Sequence, residues 1–375
     1  MSAKHAPRGR TDERTALLFD PHGTSQRALD RALAGFEATA VAGVDEAGLG
    51  PLLGPLTIGY SAFRVPGARC ELWHALGGAC TREVEDDRES IVVADSKLVF
   101  TRNPRGARRL ERTALSFLAQ RTEPLARPRT ARELLESLAA ELGDSPPLGG
   151  VLTELWACRL DHVVPSSVER AEIDALSDRL RATLRGAGVA LLSCGVRAIA
   201  PSELNNSFTS TDNKSITHWE ACRPVLQKLW HAHADEGLAL VVDRHGGRMR
   251  YASLLAAAFD DCAVRIVSET RQVSTYFVVE ARAIESDAPL CESRRMLVTF
   301  SDRAESGSFA VALSSCFAKY ARERCMDAFN AYFGDLQPGL RPTAGYLNDA
   351  RRWLSDARDA IARSGIARRE LVRDR

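Results

Sequence analysis

Gly43-Val-Asp-Glu-Ala-Gly-Leu-Gly-Pro-Leu-Leu-Gly54 is the stretch that decides how this chain is read. It is entered from the apolar run Ala38-Thr-Ala-Val-Ala, and together they read as a buried strand ending in two acids and a glycine-rich turn. Adjacent strand residues point to opposite faces. A strand that ends or bulges here lets Asp45 face a site while Glu46 adds its side chain or its carbonyl. Such carboxylates suit hard divalent cations, and the glycines let a polymer backbone approach the main chain. Taken alone, two acids before a glycine fit a solvated turn as well. Gly48-x-Gly50 with Gly54 misses the dinucleotide-binding spacing by one residue, and the acids would repel a pyrophosphate. No P-loop motif is present.

Outward from this stretch, Leu56 to Arg64 reads as a second strand after a Gly/Pro turn. Thr101 to Gln120 reads as an arginine-rich helix. From Glu123 to about Ala190, helical segments alternate with Pro/Gly breaks, with a capping box at Ser166 and Glu169. Leu238 to Asp243 is a further buried strand, Tyr251 to Phe259 a short helix, and Ala263–Ser268 and Phe277–Ile284 strands. Phe309 to Phe333 is a long helix with small residues in its first half. Residues 1–38 read as a disordered tail ending in a short helix over Ser25–Phe36.

The chain has 375 residues, with 50 Lys plus Arg against 49 Asp plus Glu and a formal charge of +1. That balance excludes a generally basic coat protein but not a nucleic-acid enzyme, which needs only a local basic surface. Such surfaces are present: residues 101–121 hold six arginines against one glutamate, and residues 351–375 eight against four acids. No apolar run is long enough to cross a bilayer and no signal peptide is evident. Nine scattered cysteines without a C-x-x-C pair read as reduced thiols in a cytoplasmic protein. His231-x-His233, with Cys222 nearby in sequence, lacks a second pair at ligand spacing and reads as a helix-surface histidine pair.

The Gly-Val-Asp-Glu-Ala-Gly-x-Gly-Pro-x-x-Gly-Pro pattern resembles the signature of ribonuclease HII and its relative ribonuclease HIII. Further segments resemble the family's in the same order: Asp95-Ser-Lys97, Ile199 to Asn205, Leu240 to Asp243, Ser301 to Glu323, and Gly345-Tyr346. The resemblance spans most of residues 40–350. It implies an α/β, ribonuclease H-like fold, with a mixed central sheet flanked by helices across residues 39–350. Residues 121–190 form a helical insertion without a family counterpart, and 351–375 a basic C-terminal helix. It also implies an endonuclease that hydrolyses the RNA strand of RNA–DNA hybrids with two Mg2+ or Mn2+ ions, leaving 5′-phosphate and 3′-hydroxyl ends.

Carried onto this sequence, the metal-binding and catalytic acids would be Asp45, Glu46, Asp243 and Glu323. Substrate contacts would come from Gly48, Leu49, Gly50, Ser96, Lys97, Asn205, Lys214, Ser315, Lys319 and Tyr346. Ser315 and Lys319 share a helix face at i, i+4. A monomer with no organic cofactor and no membrane partner is expected. Two departures stand out. Ribonuclease HII usually has Gly-Arg-Gly where this chain has Gly48-Leu49-Gly50, and its fourth acid is usually aspartate. A hybrid-binding protein with weakened turnover, or a metal nuclease for another nucleic acid, are the competing readings.

Overall fold

The computed structural model describes residues 26–67, 70–121, 127–142, 149–281 and 293–374. Of the tail expected over residues 1–38, residues 1–25 lie outside them; the short helix expected at its end is present as Gln26–Ala34.

Seven strands form one mixed sheet in the order β5-β2-β1-β6-β9-β8-β7. They are β1 (Ala40–Ala47), β2 (Leu56–Arg64), β5 (Ala190–Ile199), β6 (Leu238–Asp243), β7 (Cys262–Glu269), β8 (Val273–Glu280) and β9 (Arg295–Ser301). A separate two-stranded ribbon pairs β3 (Cys80–Thr81) with β4 (Ile91–Val92). β1 runs antiparallel to β2 and parallel to β6, and β6 runs parallel to β9. Parallel register sets Val44 beside Val242, so the acids that follow each valine emerge together at one end of the sheet.

A helix over Phe309–Leu336 lies against one face of β1 and β2, and its small residues explain why. A Cβ added at Gly43 would stand 2.2 Å from Val311 N, and one at Gly59 would stand 2.1 Å from the Ser314 carbonyl. Glycine on the strands and Ala310, Ser314 and Ala318 on the helix allow near backbone contact. Hydroxyls fix the approach: Ser314 Oγ donates to Gly43 O at 2.9 Å, and Thr57 Oγ1 to Ala318 O at 2.9 Å. On the opposite face, the helix Lys214–His233 buries Trp219, Cys222, Leu226, Leu229 and Trp230 against even-numbered residues of β1, β2 and β6.

The strand-like runs over β1, β2, β6 and β7 are present within a few residues; of the run expected over Phe277–Ile284, residues 277–280 lie in β8 and residues 282–284 lie outside the described residues. β5 and β9 are additional. β5 carries Ser193, Gly195 and Arg197 and shows no clean apolar pattern, whereas β9 buries Met296, Val298 and Phe300 in strict alternation. The capping box is not formed: Glu169 occupies the N-cap of helix Arg170–Gly186 without a side-chain bond. Ser166 N instead donates to buried Glu111, at 3.0 and 2.9 Å from its two oxygens.

Among the described residues, 121–190 hold helices Ala131–Ala139, Gly149–Thr153 and Arg170–Gly186, joined by turns and an isolated bridge between Thr130 and Val163. Leu134, Leu138, Trp156, Ile173 and Leu180 enter the same core as the Phe309–Leu336 helix. Trp156 meets Phe329 edge-on at 6.4 Å.

The single C-terminal helix expected over 351–375 is corrected to three short helices, Leu347–Asp356, Arg358–Ser364 and Arg368–Leu371. Breaks near Ala357 and Gly365 turn the chain back on itself, so that Val372 bridges Leu53 beside the glycine-rich turn. Among the described residues, no helix is long and apolar enough to cross a membrane, and the eight cysteines are free thiols.

Candidate metal centre and nucleic-acid cleft

Asp45 and Glu46 close β1, and Asp243 closes the adjacent parallel strand β6. One carboxylate oxygen from each lies within 4.8 Å of the others. Alternation along β1 sends Asp45 toward the Phe309–Leu336 helix and Glu46 toward the Lys214–His233 helix; the strand ends here, so both still reach the space before Asp243. Asp45 Oδ1 accepts from Glu46 N at 2.7 Å. Asp243 Oδ1 accepts from Ala304 N at 3.2 Å, which ties β6 to the turn Ala304–Ser306 at the entrance to the long helix.

Burial raises the pKa of all three carboxyls, and they repel one another. Asp45 is held well above the carboxylate range by burial, then by the charges of Glu46 and Asp243. Glu46 is pushed up to about 7 by burial and Asp243, and Asp243 to about 6 chiefly by burial. A divalent cation relieves both burdens at once, and an all-oxygen donor set is what magnesium or manganese takes.

Asp45, Glu46 and Asp243 share their cleft with Gly48, Leu49, Gly50, Ser96, Lys97, Ser315, Lys319 and Tyr346, which the sequence also singled out. Ser315 Oγ donates to Ser96 Oγ at 2.7 Å. Burial works against the Lys97 ammonium, but Asp95, Glu305, Asp45 and Asp243 outweigh it and raise its pKa. Leu49 and Tyr346 are exposed on the rim. Gly48 has φ +92°, and a Cβ there would also strike the Arg322 side chain at 2.3 Å.

Three expected residues stand elsewhere. Glu323 is corrected: it is not among the converging carboxylates, and its Oε1 accepts from Lys319 Nζ at 2.5 Å, one helical turn back. The cleft is lined instead by Glu305, buried in the turn that bonds Asp243. An acid between a strand and a small-residue helix was the available signal. Asn205 is also corrected. It is buried, and its amide donates to Arg369 O at 2.7 Å and Val372 O at 2.8 Å while its oxygen accepts from Asp374 N, so it fastens the C-terminal segment. Lys214 does not line the carboxylate cleft; with Leu49, Leu204, Phe208 and Thr217 it lines a neighbouring cavity behind the turn.

Sequence reasoning missed two arginines. Arg373 Nε donates to Gly54 O at 3.0 Å, and its Nη1 reaches Gly48 O. Arg322 Nη2 donates to Leu53 O and Ala344 O, each at 3.2 Å. Both brace the glycine-rich turn from below through its carbonyls.

No protein-family model matches the chain, and no curated protein matches it in sequence. Solved structures similar to it include ribonuclease H2 from Pyrococcus horikoshii OT3, at 15% identity over 88% of this chain and 92% of that one, with a TM-score of 0.35. The RNase HII of the PCNA:RNase HII complex from Archaeoglobus fulgidus is 14% identical over 89% and 94%, with a TM-score of 0.37. Bst-RNase HIII in complex with Mn2+ is 13% identical over 89% and 72%, with a TM-score of 0.35. The mixed sheet between two helical layers is an α/β architecture.

Proposed function

We propose that this chain is a divalent-metal-dependent nuclease of the ribonuclease H type, acting on the RNA strand of RNA–DNA hybrids. The observation that carries this reading is the convergence of Asp45, Glu46 and Asp243 at the paired ends of β1 and β6, inside an open cleft. Glu305 supplies the fourth carboxylate, in place of Glu323. These groups would hold two Mg2+ or Mn2+ ions, which when bound supply Lewis acidity at the attacking water and the departing ribose oxygen.

The rest is done by the chain itself. Lys97 and Lys319 neutralise phosphate oxygens at the cleft wall, and Glu323 holds Lys319 in its reach. Gly48 and Gly50 bring main-chain groups to the ribose, where only a backbone without side chains fits closely. Arg322 and Arg373 keep that turn in one conformation. Tyr346 presents its ring to a sugar or base at the rim.

A cleavage assay tests the reading. The full chain, with Mg2+ or Mn2+, is given an all-RNA/DNA hybrid, a duplex with one embedded ribonucleotide, and an all-DNA duplex. Cleavage of an RNA-containing strand, absent in Asp45→Asn, is expected. Hybrid binding without cleavage by the wild-type chain would favour a binding protein, and cleavage of the all-DNA duplex would move the substrate class.

A further inference from the structure

Behind Glu46, on the dry side of the sheet, three ligand-type side chains meet. His218 and Cys222 sit at i and i+4 on one face of the Lys214–His233 helix. His245 follows Asp243 by two residues, just beyond the end of β6. One donor atom from each of the three lies within 4.8 Å of the others. All three residues are at least 98% buried. The imidazole rings stand 4.2 Å apart between centroids.

None of the four ring nitrogens of His218 and His245 has a hydrogen-bond partner. A neutral imidazole carries one N–H and one lone pair, so two of them leave both kinds of group unmet in the core. Buried polar groups in folded proteins are otherwise almost always satisfied. The His245 ring is walled by Trp219, Tyr251 and Phe300, at 6.1, 5.6 and 5.8 Å between ring centroids. The backbone is nevertheless held in place, with His245 N donating to Tyr251 Oη at 3.1 Å and Ser215 Oγ to His245 O at 3.3 Å. A fixed backbone with unpaired imidazoles and a thiol aimed at one point is a ligand arrangement.

We propose that His218, Cys222 and His245 form a buried transition-metal site, suited to zinc and separate from the carboxylate centre. Two imidazoles and a thiolate are a borderline-soft set, unlike the all-oxygen set across the sheet. Tetrahedral zinc with such ligands has donor–donor spacings of about 3.3–3.6 Å, so donors within 4.8 Å of one another close on it with side-chain shifts of no more than about an ångström. Glu46 Oε2 lies 3.6 Å from His218 Nε2, at the edge of the cluster. A metal here would fasten the Lys214–His233 helix to the end of β6 and fix Glu46 from behind. The site does not depend on the proposed nuclease activity.

The test is made on the full chain with zinc and cobalt(II) as probes. The expected result is about one zinc per chain that survives gel filtration, with a thiolate-to-metal charge-transfer band when cobalt(II) replaces it. Cys222→Ser should abolish that band, and His245→Ala should remove the metal. The Asp45→Asn/Asp243→Asn double variant should keep both, which separates this site from the carboxylate centre. Zinc that is not retained after reconstitution of the wild type, or a cobalt(II) band unchanged in Cys222→Ser, would overturn the proposal. If Cys222→Ser does not fold, X-ray absorption on the zinc-loaded wild type decides: one sulfur and two imidazole nitrogens support the site, and an all-oxygen shell overturns it.

Discussion

Asp45 and Glu46 are neighbours in sequence, but they lean toward two different halves of the molecule. On the side of the Phe309–Leu336 helix, the end of β1 opens into a cleft with Ser315, Lys319 and Lys97. On the side of the Lys214–His233 helix it backs onto His218, Cys222 and His245, which are closed off by aromatic rings. One face gathers hard oxygen donors in reach of solvent and cations. The other gathers nitrogen and sulfur donors in a dry core. The alternation of a strand thus sorts donor types, because the two faces of one sheet differ in hydration. Glu46 stands at the border, within reach of Asp243 on one side and His218 on the other.

The most severe way to break the wet side is Asp45→Asn. It removes a charge from the centre while keeping the shape of the side chain. Hydrolysis should fall by at least about 100-fold, since losing a mere supporting partner of a metal ligand already costs about 10–100-fold. Hybrid binding, measured by fluorescence anisotropy, should change little. Wild-type-like turnover in this variant would remove the centre from the mechanism. A smaller effect separates the two glutamates. Glu305→Gln removes a carboxylate from the cleft itself and should reduce turnover by about 100-fold, the upper end of what losing a ligand's supporting partner costs, whereas Glu323→Gln should stay within about tenfold, because that glutamate only orients Lys319 across a partly exposed pair. The reverse ranking in steady-state kinetics would restore Glu323 to the metal site.

What the sequence disclosed follows the same division. Asp45, Glu46 and the turn were legible because an apolar run, two acids and several glycines lie in one contiguous stretch. Asp243 was legible as an acid at the end of a second apolar run. Glu305 was not, since it lies in a short turn with no periodicity, and its place depends on where β9 delivers the chain to the long helix. Glu323 attracted attention as an acid on that helix, yet it lies too far along it to join the carboxylates. Asn205 looked like a polymer contact because nothing in its own segment shows that the C-terminal chain returns to it. His231 and His233 read as a helix-surface pair, and both lie in the last turn of the Lys214–His233 helix, with His231 exposed. His233 Nε2 bonds Ser193 Oγ at 2.8 Å. The cluster with His218 is completed by His245, which only the packing of the Lys214–His233 helix on the sheet brings near Cys222.

The raised carboxyls give the comparison a pH dependence. A carboxyl whose folded pKa exceeds its unfolded value binds protons more tightly in the folded state, so stability falls as pH rises through that interval. For Glu46 the interval runs from 4.5 to about 7, and for Asp243 from 3.8 to about 6. Metal-free protein should therefore melt lower at pH 8 than Glu46→Gln does, and the gap should shrink toward pH 5. Magnesium should raise the wild-type melting temperature more at pH 8 than at pH 5, because bound protons compete with the ion. A gap that does not vary with pH in calorimetry would mean that Glu46 is not burdened by its neighbours.

The mildest prediction concerns the turn where the two faces meet. Arg373 comes from the far end of the chain and donates to the carbonyls of Gly48 and Gly54, and Asn205 holds the segment that delivers it. The guanidinium touches main-chain oxygens that would otherwise be free to rotate away from a docked strand. It does not approach the converging carboxylates, so its effect should fall on binding rather than on chemistry. Arg373→Ala should raise KM for a hybrid by a few-fold, up to about tenfold, with kcat nearly unchanged, the pattern of an interaction equally present in ground and transition states. Arg373→Lys should recover only part of the loss, because one ammonium lacks the planar fork that spans both carbonyls. A fall in kcat at constant KM would mean that the turn positions reacting atoms as well. A lower melting temperature with unchanged kinetics would confine the C-terminal segment to holding the fold.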